Sequence, residues 1–368
     1  MIDLEELKKE SFGAPSTTKL HESYIKDSAT LINEASETIR KYQTGELKPI
    51  KFSRDYVNKS LLGGLFPGNI VGIAGSSGHG KSTFLQDMED DIYNKDLNPD
   101  CDNYILLRNN YEMSVFKLYL REIKKGLDKK IADILGTRYS ESEQNIVNQI
   151  KSKESKPNIK YFENPQDPET WFSIMCSFCE EHKDKAHIVV TIDHIALVKQ
   201  TIRGKKDGID NLVEYINLLR HIYPNVSFLI LSQLNRNIEE RDNAKTSAPR
   251  KGDLYQSDFL FQISDVIIVV HNPYKLGLLE HMVIGQKQYP HLNEFKKDPG
   301  KKTTTFVTKG NIFYHFIKMR EDENNTLPDL YIEKLTTSKS RESFLEEEKL
   351  PRMEPNASLF EDEDNPYE

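Results

Sequence analysis

The sequence predicts an α/β fold: a mostly parallel sheet with helices packed against its faces. Three observations carry that prediction. From residue 61 to 335, short β-rich runs alternate with helical stretches, as crossover connections between parallel strands require. Several of those runs are continuously apolar, the pattern of strands covered on both faces. A Gly/Ser-rich stretch, GIAGSSGHGKSTFLQ (72–86), joins one such run to a helical segment.

The strands are read at NIVGIAG (69–75), NYILLR (103–108), HIVVTID (187–193), VSFLILS (226–232) and DVIIVV (265–270). Helical periodicity fills 81–93, 113–126, 168–182 and 209–222. In the last of these Leu212, Val213, Ile216, Leu219 and Ile222 share one face. The 280–335 segment, with EHMVIG, IFYHFIKMR and LYIEKL, reads as an antiparallel extension. Upstream, residues 18–43 place Leu20, Tyr24, Ile25, Leu31, Ile32 and Ile39 at helical intervals, and TGELKP ends that helix. Three parts follow: an arm with a helix over 1–44, a core over 45–337, and an acidic tail over 338–368 whose composition predicts disorder.

Composition narrows the setting. The chain has 368 residues, 37% hydrophobic and 29% charged, enough for one large domain with extensions. No run of about 18 apolar residues is present, so no membrane partner is expected. The amino terminus lacks the apolar core of a secretory signal, and three cysteines cannot make a disulfide framework. A reducing cytoplasm is the expected location, that of a host cell were the chain virus-encoded. The net charge of −8 belongs to residues 342–368, with ten acids and two bases; the other 341 residues carry 48 of each sign. The acidity therefore does not argue against a nucleic-acid partner.

Gly75, four further residues and Gly80-Lys81-Ser82 satisfy the spacing of a phosphate-binding P-loop. Glycines let backbone N–H groups curl around phosphates, Lys81 supplies a point charge, and Ser82 offers a hydroxyl to Mg²⁺. The cradle comprises Gly75, Ser76, Ser77, Gly78, His79, Gly80, Lys81, Ser82 and Thr83, with the following helix turning its positive end to the anion. Asp193, ending an apolar run, is the candidate metal-holding acid. Glu112, four residues beyond NYILLR, is the candidate base for the attacking water, because strand ends in such sheets converge on one crevice.

Several segments together resemble DnaB-type replicative helicases, whose motor is a RecA-like ATPase. LLGGLFPGNIVGIAG is similar to the lead-in of RecA-type cores, YEMSVFKLYLR (111–121) to the family's SLEMS…R segment, and TIDHIALV to its metal-acid strand. LSQLNRNIEER (231–241), GDLYQSDFLFQISDVIIVV (252–270) and FIKMRE (316–321) follow in the family's order. The resemblance covers about residues 45 to 334. It implies a RecA-like fold, use of ATP and Mg²⁺, and a hexameric ring around single-stranded DNA. It implies that Lys81, Ser82 and Asp193 bind Mg-ATP and that Glu112 is the catalytic glutamate. Gln233 would sense the γ-phosphate, and Lys318 and Arg320 would reach the neighbouring subunit's nucleotide. The 18–43 helix resembles the linker helix that docks on an adjacent subunit. About 45 leading residues are too few for the family's N-terminal domain, so a motor domain alone is expected. Primase, polymerase or loader proteins are the partner classes implied.

Two loops are expected to meet DNA. VKQTIRGKKDGIDN (198–211) carries Lys199, Arg203, Lys205 and Lys206, suited to backbone phosphates. The second spans Arg250, Lys251, Tyr255 and Gln256. There the family's Arg-Glu-Ser-Gly corresponds to Tyr255-Gln256-Ser257-Asp258, which exchanges a positive charge for an aromatic ring and a glycine for an acid. A recombinase-like filament protein and a non-motor, ATP-gated replication assembly factor remain alternatives to the helicase. Cys176, Cys179 and His182 have metal-like spacing but fall in a helical pattern with Phe172, Met175 and Phe178, which reads as core.

Overall fold

The computed structural model describes residues 27–197, 205–241, 247–254, 258–284, 296–298, 303–320 and 329–335. Its strands are β1 (Ile70–Gly75), β2 (Tyr104–Asn110), β3 (Ile159–Phe162), β4 (His187–Asp193), β5 (Val226–Gln233), β6 (Val266–His271), β7 (Glu280–Ile284), β8 (Lys296–Asp298), β9 (Thr303–Val307), β10 (Asn311–Met319) and β11 (Leu330–Lys334). Its helices are α1 (Ser28–Thr44), α2 (Asp55–Ser60), α3 (Lys81–Ile92), α4 (Val115–Leu127), α5 (Ile131–Gly136), α6 (Glu141–Glu154), α7 (Pro168–Glu181), α8 (Lys205–Ile222) and α9 (Asp258–Ile263).

Eight strands form one sheet in the order β11-β10-β6-β1-β5-β4-β2-β3, and β7-β9-β8 form a second. From β6 to β3 every pairing is parallel; β10 and β11 add the antiparallel edge expected of the 280–335 segment. Alternation along each strand divides the core in two. Val71, Ile73, Leu106, Val189, Leu229 and Ile268 face α3 through Phe84, Leu85 and Met88. Their neighbours Ile70, Ile105, Leu107, Ile188, Val190 and Phe228 face α7 and α8. On α8 Leu212, Val213, Ile216 and Leu219 are buried on the face that the sequence shows and are joined by Ile209, whereas Ile222 is exposed.

Helix ends follow local chemistry. The Asp27 carboxylate accepts from Thr30 N at 3.0 Å to start α1, and Gly45 stops it with a left-handed φ of 75°. Asp167 caps α7 the same way, with Pro168 at its first position. No residue of α1 is buried, and Leu31, Ile32 and Ile39 stand exposed. Leu20, Tyr24 and Ile25 lie outside the described residues, as does the whole 338–368 tail.

Two expectations are revised. The sequence reading passes from the 113–126 helix directly to the 168–182 helix, whereas α5, α6 and the edge strand β3 fill that interval. Lys205 and Lys206 do not sit in a loop: α8 begins at Lys205, four residues before the expected start, with Asp207 in its first turn favouring the helix N-terminus. Cys179 is wholly buried on α7 and Cys176 half-buried beside it; burial pushes their thiols up to about 12 and about 11. Neutral thiols packed in a core are poor metal ligands.

Candidate nucleotide site

The strand register gathers the expected residues at one end of the sheet. Gly75 lies beside Gln233 across β1 and β5, and Asn110 beside Asp193 across β2 and β4. Each strand therefore delivers its last residue to the same crevice, and the loop 76–80 leaves β1 over it.

The loop needs its glycines for stated reasons. A Cβ on Gly75 would stand 2.5 Å from the Val270 carbonyl oxygen, and Gly80 has φ of 105° where the chain turns into α3. The Lys81 ammonium is buried inside the loop and donates to the Ser76 carbonyl at 2.9 Å. Burial lowers its pKa, while the Asp193, Glu112 and Glu239 carboxylates pull it back up. His79 is buried too, its Nδ1 accepting from Asn272 N at 3.2 Å, and the Lys275 ammonium donates to the Gly78 carbonyl. The turn after β6 thus fastens the top of the loop from outside.

Asp193 carries the strongest electrostatic signal. Burial, and then the nearby Glu112 charge, push its carboxyl up to about 6; a hydrogen bond from Ser82 and the charges of Lys81 and Arg121 act in the opposite direction. Its Oδ1 is buried with no hydrogen-bond partner. A buried carboxylate with a free oxygen, a serine hydroxyl beside it and a second carboxylate close by call for a hard cation. Mg²⁺ fits this set, since it is held by one or two protein oxygens and by substrate phosphates and water. Ser82 and Asp193 are the residues that would hold it.

Glu112 lies exposed in the turn after β2, and that turn is fixed to β4 by Tyr111 N donating to the Asp193 carbonyl at 2.9 Å. Its charge reaches both Lys81 and Asp193. Gln233 Nε2 lies 3.2 Å from His194 Nε2, so the end of β5 touches the residue after Asp193. Immediately beyond Gln233, Leu234 pairs with Leu254, and Asn235 N donates to the Asp253 carbonyl at 2.7 Å. That ties the end of β5 to the turn bearing the exposed Arg250 and Lys251. Lys206 is exposed on the first turn of α8; Arg203, Tyr255 and Gln256 lie outside the described residues.

Lys318 and Arg320 are at the opposite end of the sheet, because β10 runs antiparallel to β6 and pairs Met319 with Val266. Six residues of β6 at about 3.3 Å each separate that end from the cradle by about 20 Å. There Lys318 Nζ donates to the Phe261 and Gln262 carbonyls at 2.6 and 2.9 Å, at the carboxyl end of α9. Arg320 pairs with Asp265 at 2.8 Å and donates to the Gln262 carbonyl at 2.9 Å. Burial, and then Arg320 beside it, lower the Lys318 pKa to about 8. Neither side chain comes near its own chain's cradle.

Some site residues escaped the sequence reading. Arg121 donates to Thr83 Oγ1 at 2.7 Å and bears on Asp193, linking α4 to the loop helix. It closes the YEMSVFKLYLR segment, so that motif held the signal. His194 was available as the residue after Asp193. Lys275 had no motif to mark it.

A mostly parallel sheet with a glycine cradle after β1 and the buried Asp193 carboxylate at the end of β4 defines a P-loop nucleotide-binding core. A family model, the DnaB-like helicase C-terminal domain, matches residues 56–304, and the chain belongs to that family. Among solved structures, one described as an ATPase domain is similar at a TM-score of 0.59 and 18% identity, over 83% of this chain and 94% of that one. A DnaB-like replicative helicase, solved in a study of its interactions with primase, is similar at 0.57 and 17%, over 86% and 69%. At those identities the likeness speaks for the fold. No curated protein matches the chain.

Proposed function

We propose that the chain is the motor of a ring-shaped, ATP-hydrolysing replicative helicase that moves along single-stranded DNA. The observation that carries this reading is the division of the chemistry between opposite sheet ends. The cradle, Asp193 and Glu112 are at one end, while the cationic pair Lys318 and Arg320 is at the other, satisfied by its own carbonyls and Asp265. A head-to-tail arrangement of copies brings the second end of one to the first end of the next, and six copies close the ring.

In that arrangement Lys81 and the loop N–H groups hold the β- and γ-phosphates, and Ser82 and Asp193 hold Mg²⁺, which neutralises charge on the phosphate oxygens when bound. Glu112 takes the proton of the attacking water. Arg320, planar and permanently charged, meets the charge developing on the transferred group from the neighbouring copy, with Lys318 beside it. Gln233 transmits the γ-phosphate's presence through Leu234 and Asn235 to the 250–251 turn, whose cations hold DNA phosphates together with Lys206 and the 198–204 segment. A primase, polymerase or loader is the partner class.

The test compares ATP hydrolysis with and without single-stranded DNA, alongside unwinding of a forked duplex. Stimulation plus unwinding is the expected result. Hydrolysis indifferent to DNA, with no unwinding, overturns it in favour of an ATP-gated assembly factor, a reading supported by the loss of the family's Arg and Gly at Tyr255 and Asp258.

A further inference from the structure

The 250–251 turn and the Lys318–Arg320 pair meet on one side chain, Phe261 of α9. Lys251 Nζ lies 4.5 Å from the centre of the Phe261 ring, and Lys318 Nζ lies 5.2 Å from it. An ammonium at that range is attracted by the ring's negative face. The two ammoniums therefore stand no more than about 10 Å apart, within a Debye length at ordinary salt. Each feels the other. Burial and the Arg320 charge lower Lys318 to about 8, and the Lys251 charge adds to them.

The same short helix holds both cations of the pair through its backbone. Lys318 donates to the Phe261 and Gln262 carbonyls, and Arg320 donates to the Gln262 and Ile263 carbonyls at 2.9 and 3.3 Å. The Gln262 carbonyl is thus common to both. The Arg320 side chain stays 39% exposed, so it is held without being shut away. The Phe261 ring also packs on the cluster of Leu234, Leu254, Ile267 and Val269. Leu234 follows Gln233 and pairs with Leu254, which closes the turn that carries Lys251. The end of β5, the 250–251 turn and the Lys318–Arg320 pair therefore all bear on α9.

Two like charges drawn to one ring compete, because each raises the cost of holding the other. A DNA phosphate that takes Lys251 into an ion pair cancels its charge and removes the competitor. Lys318 then settles on the ring and the α9 carbonyls, and Arg320 follows through the carbonyl they share. We propose that Phe261 is a positioning residue: through it, single-stranded DNA on the 250–251 turn sets the Lys318–Arg320 pair that is offered to the next copy. This relay rests on the helicase reading given above. DNA held by one copy thereby readies the cations that complete its neighbour's site.

The test compares the full chain as wild type, Phe261→Leu and Phe261→Tyr. Leucine keeps the apolar packing on Leu234 and Leu254 but removes the π-face, whereas tyrosine keeps the face. Affinity for fluorescein-labelled oligothymidylate is read by anisotropy, and hydrolysis is read without DNA and at saturating DNA. In Phe261→Leu, DNA affinity and basal hydrolysis stay within about twofold of wild type, while stimulation falls by about fivefold or more, the factor that one lost cation–π contact represents. Phe261→Tyr restores the stimulation, and Phe261→Met repeats the comparison should the leucine variant not fold. Stimulation of Phe261→Leu equal to wild type, failure of Phe261→Tyr to restore it, or loss of DNA affinity in Phe261→Leu overturns the proposal. A wild type whose hydrolysis is indifferent to DNA overturns the helicase reading and the relay with it, so the wild type alone tells the two failures apart.

Discussion

The two ends of the central sheet are built on opposite principles. At the cradle end, charged groups are buried close to one another and left incomplete: Asp193 is pushed up to about 6 with a free oxygen, and Lys81 is held down by burial. At the other end the cations are partnered within the chain. Asp265 receives Arg320 at 2.8 Å, Arg220 at 3.5 Å and the Ile70 amide at 2.8 Å, while Lys318 caps the carboxyl end of α9. One end is arranged to be completed by something else, and the other holds itself together. On the proposed reading, the second end holds its cations in place so that they can be offered to the first end of a neighbouring copy.

That contrast breaks most clearly on substitution. Lys81→Ala and Glu112→Gln are each expected to reduce hydrolysis by about a thousandfold. Their melting temperatures should stay near that of the wild type, since neither group completes a structural network; steady-state kinetics and thermal melting on the same samples check both halves. Asp265→Ala should act on stability. It leaves Arg320 and Arg220 without their carboxylate and costs about 3 kcal/mol of stability, read by urea unfolding.

Acid sharpens the comparison by acting on a third group. Burial lowers His79 to about 4, His281 and His187 to about 3, and His271 and His315 well below their usual range. A histidine with a depressed folded-state pKa takes its proton in the unfolded chain first. Its contribution is complete above about pH 6.5 and is lost as pH falls below it, at up to about 1.4 kcal/mol per group per pH unit. The melting temperature should therefore fall steeply from pH 7 to pH 5. A flat profile would show that these imidazoles are not the buried, neutral groups described. The smallest effect is expected at Gln233→Ala: basal hydrolysis within a few-fold of wild type, and stimulation by single-stranded DNA lost, measured as the ratio of the two rates.

The cradle was legible in the sequence because a phosphate loop needs its glycines, lysine and serine at consecutive positions on one turn. Asp193 was legible because it closes an apolar strand, whereas Gln233 was singled out only through the family resemblance. The 131–154 region was not. α5 and α6 bury only Ile134 and Val147, so neither shows a strong apolar stripe. The signal that was present is the Ser140…Glu143 capping box, whose reciprocal hydrogen bonds start α6. β3 escaped because it is an edge strand of four residues with none fully buried. The buried histidines escaped for another reason: His79, His271, His281 and His315 come from four separate segments. They meet only in the fold, where His281 and His315 lie 2.9 Å apart between their Nε2 atoms. Residues whose partners are distant in sequence leave no local mark.

The central claim is that the nucleotide site is completed by a second copy, and mixing two inactive variants tests it most directly. Lys81→Ala lacks a working cradle and Arg320→Ala lacks the cation offered to its neighbour, so each alone should be nearly inactive. Co-assembled in equal amounts, they restore an intact cradle facing an intact arginine at about a quarter of the interfaces, the statistical share for random order in a ring. Recovery of hydrolysis well above either variant alone is the predicted result. A mixture as inactive as its components, or an Arg320→Ala protein that hydrolyses ATP at the wild-type rate, would contradict the shared site.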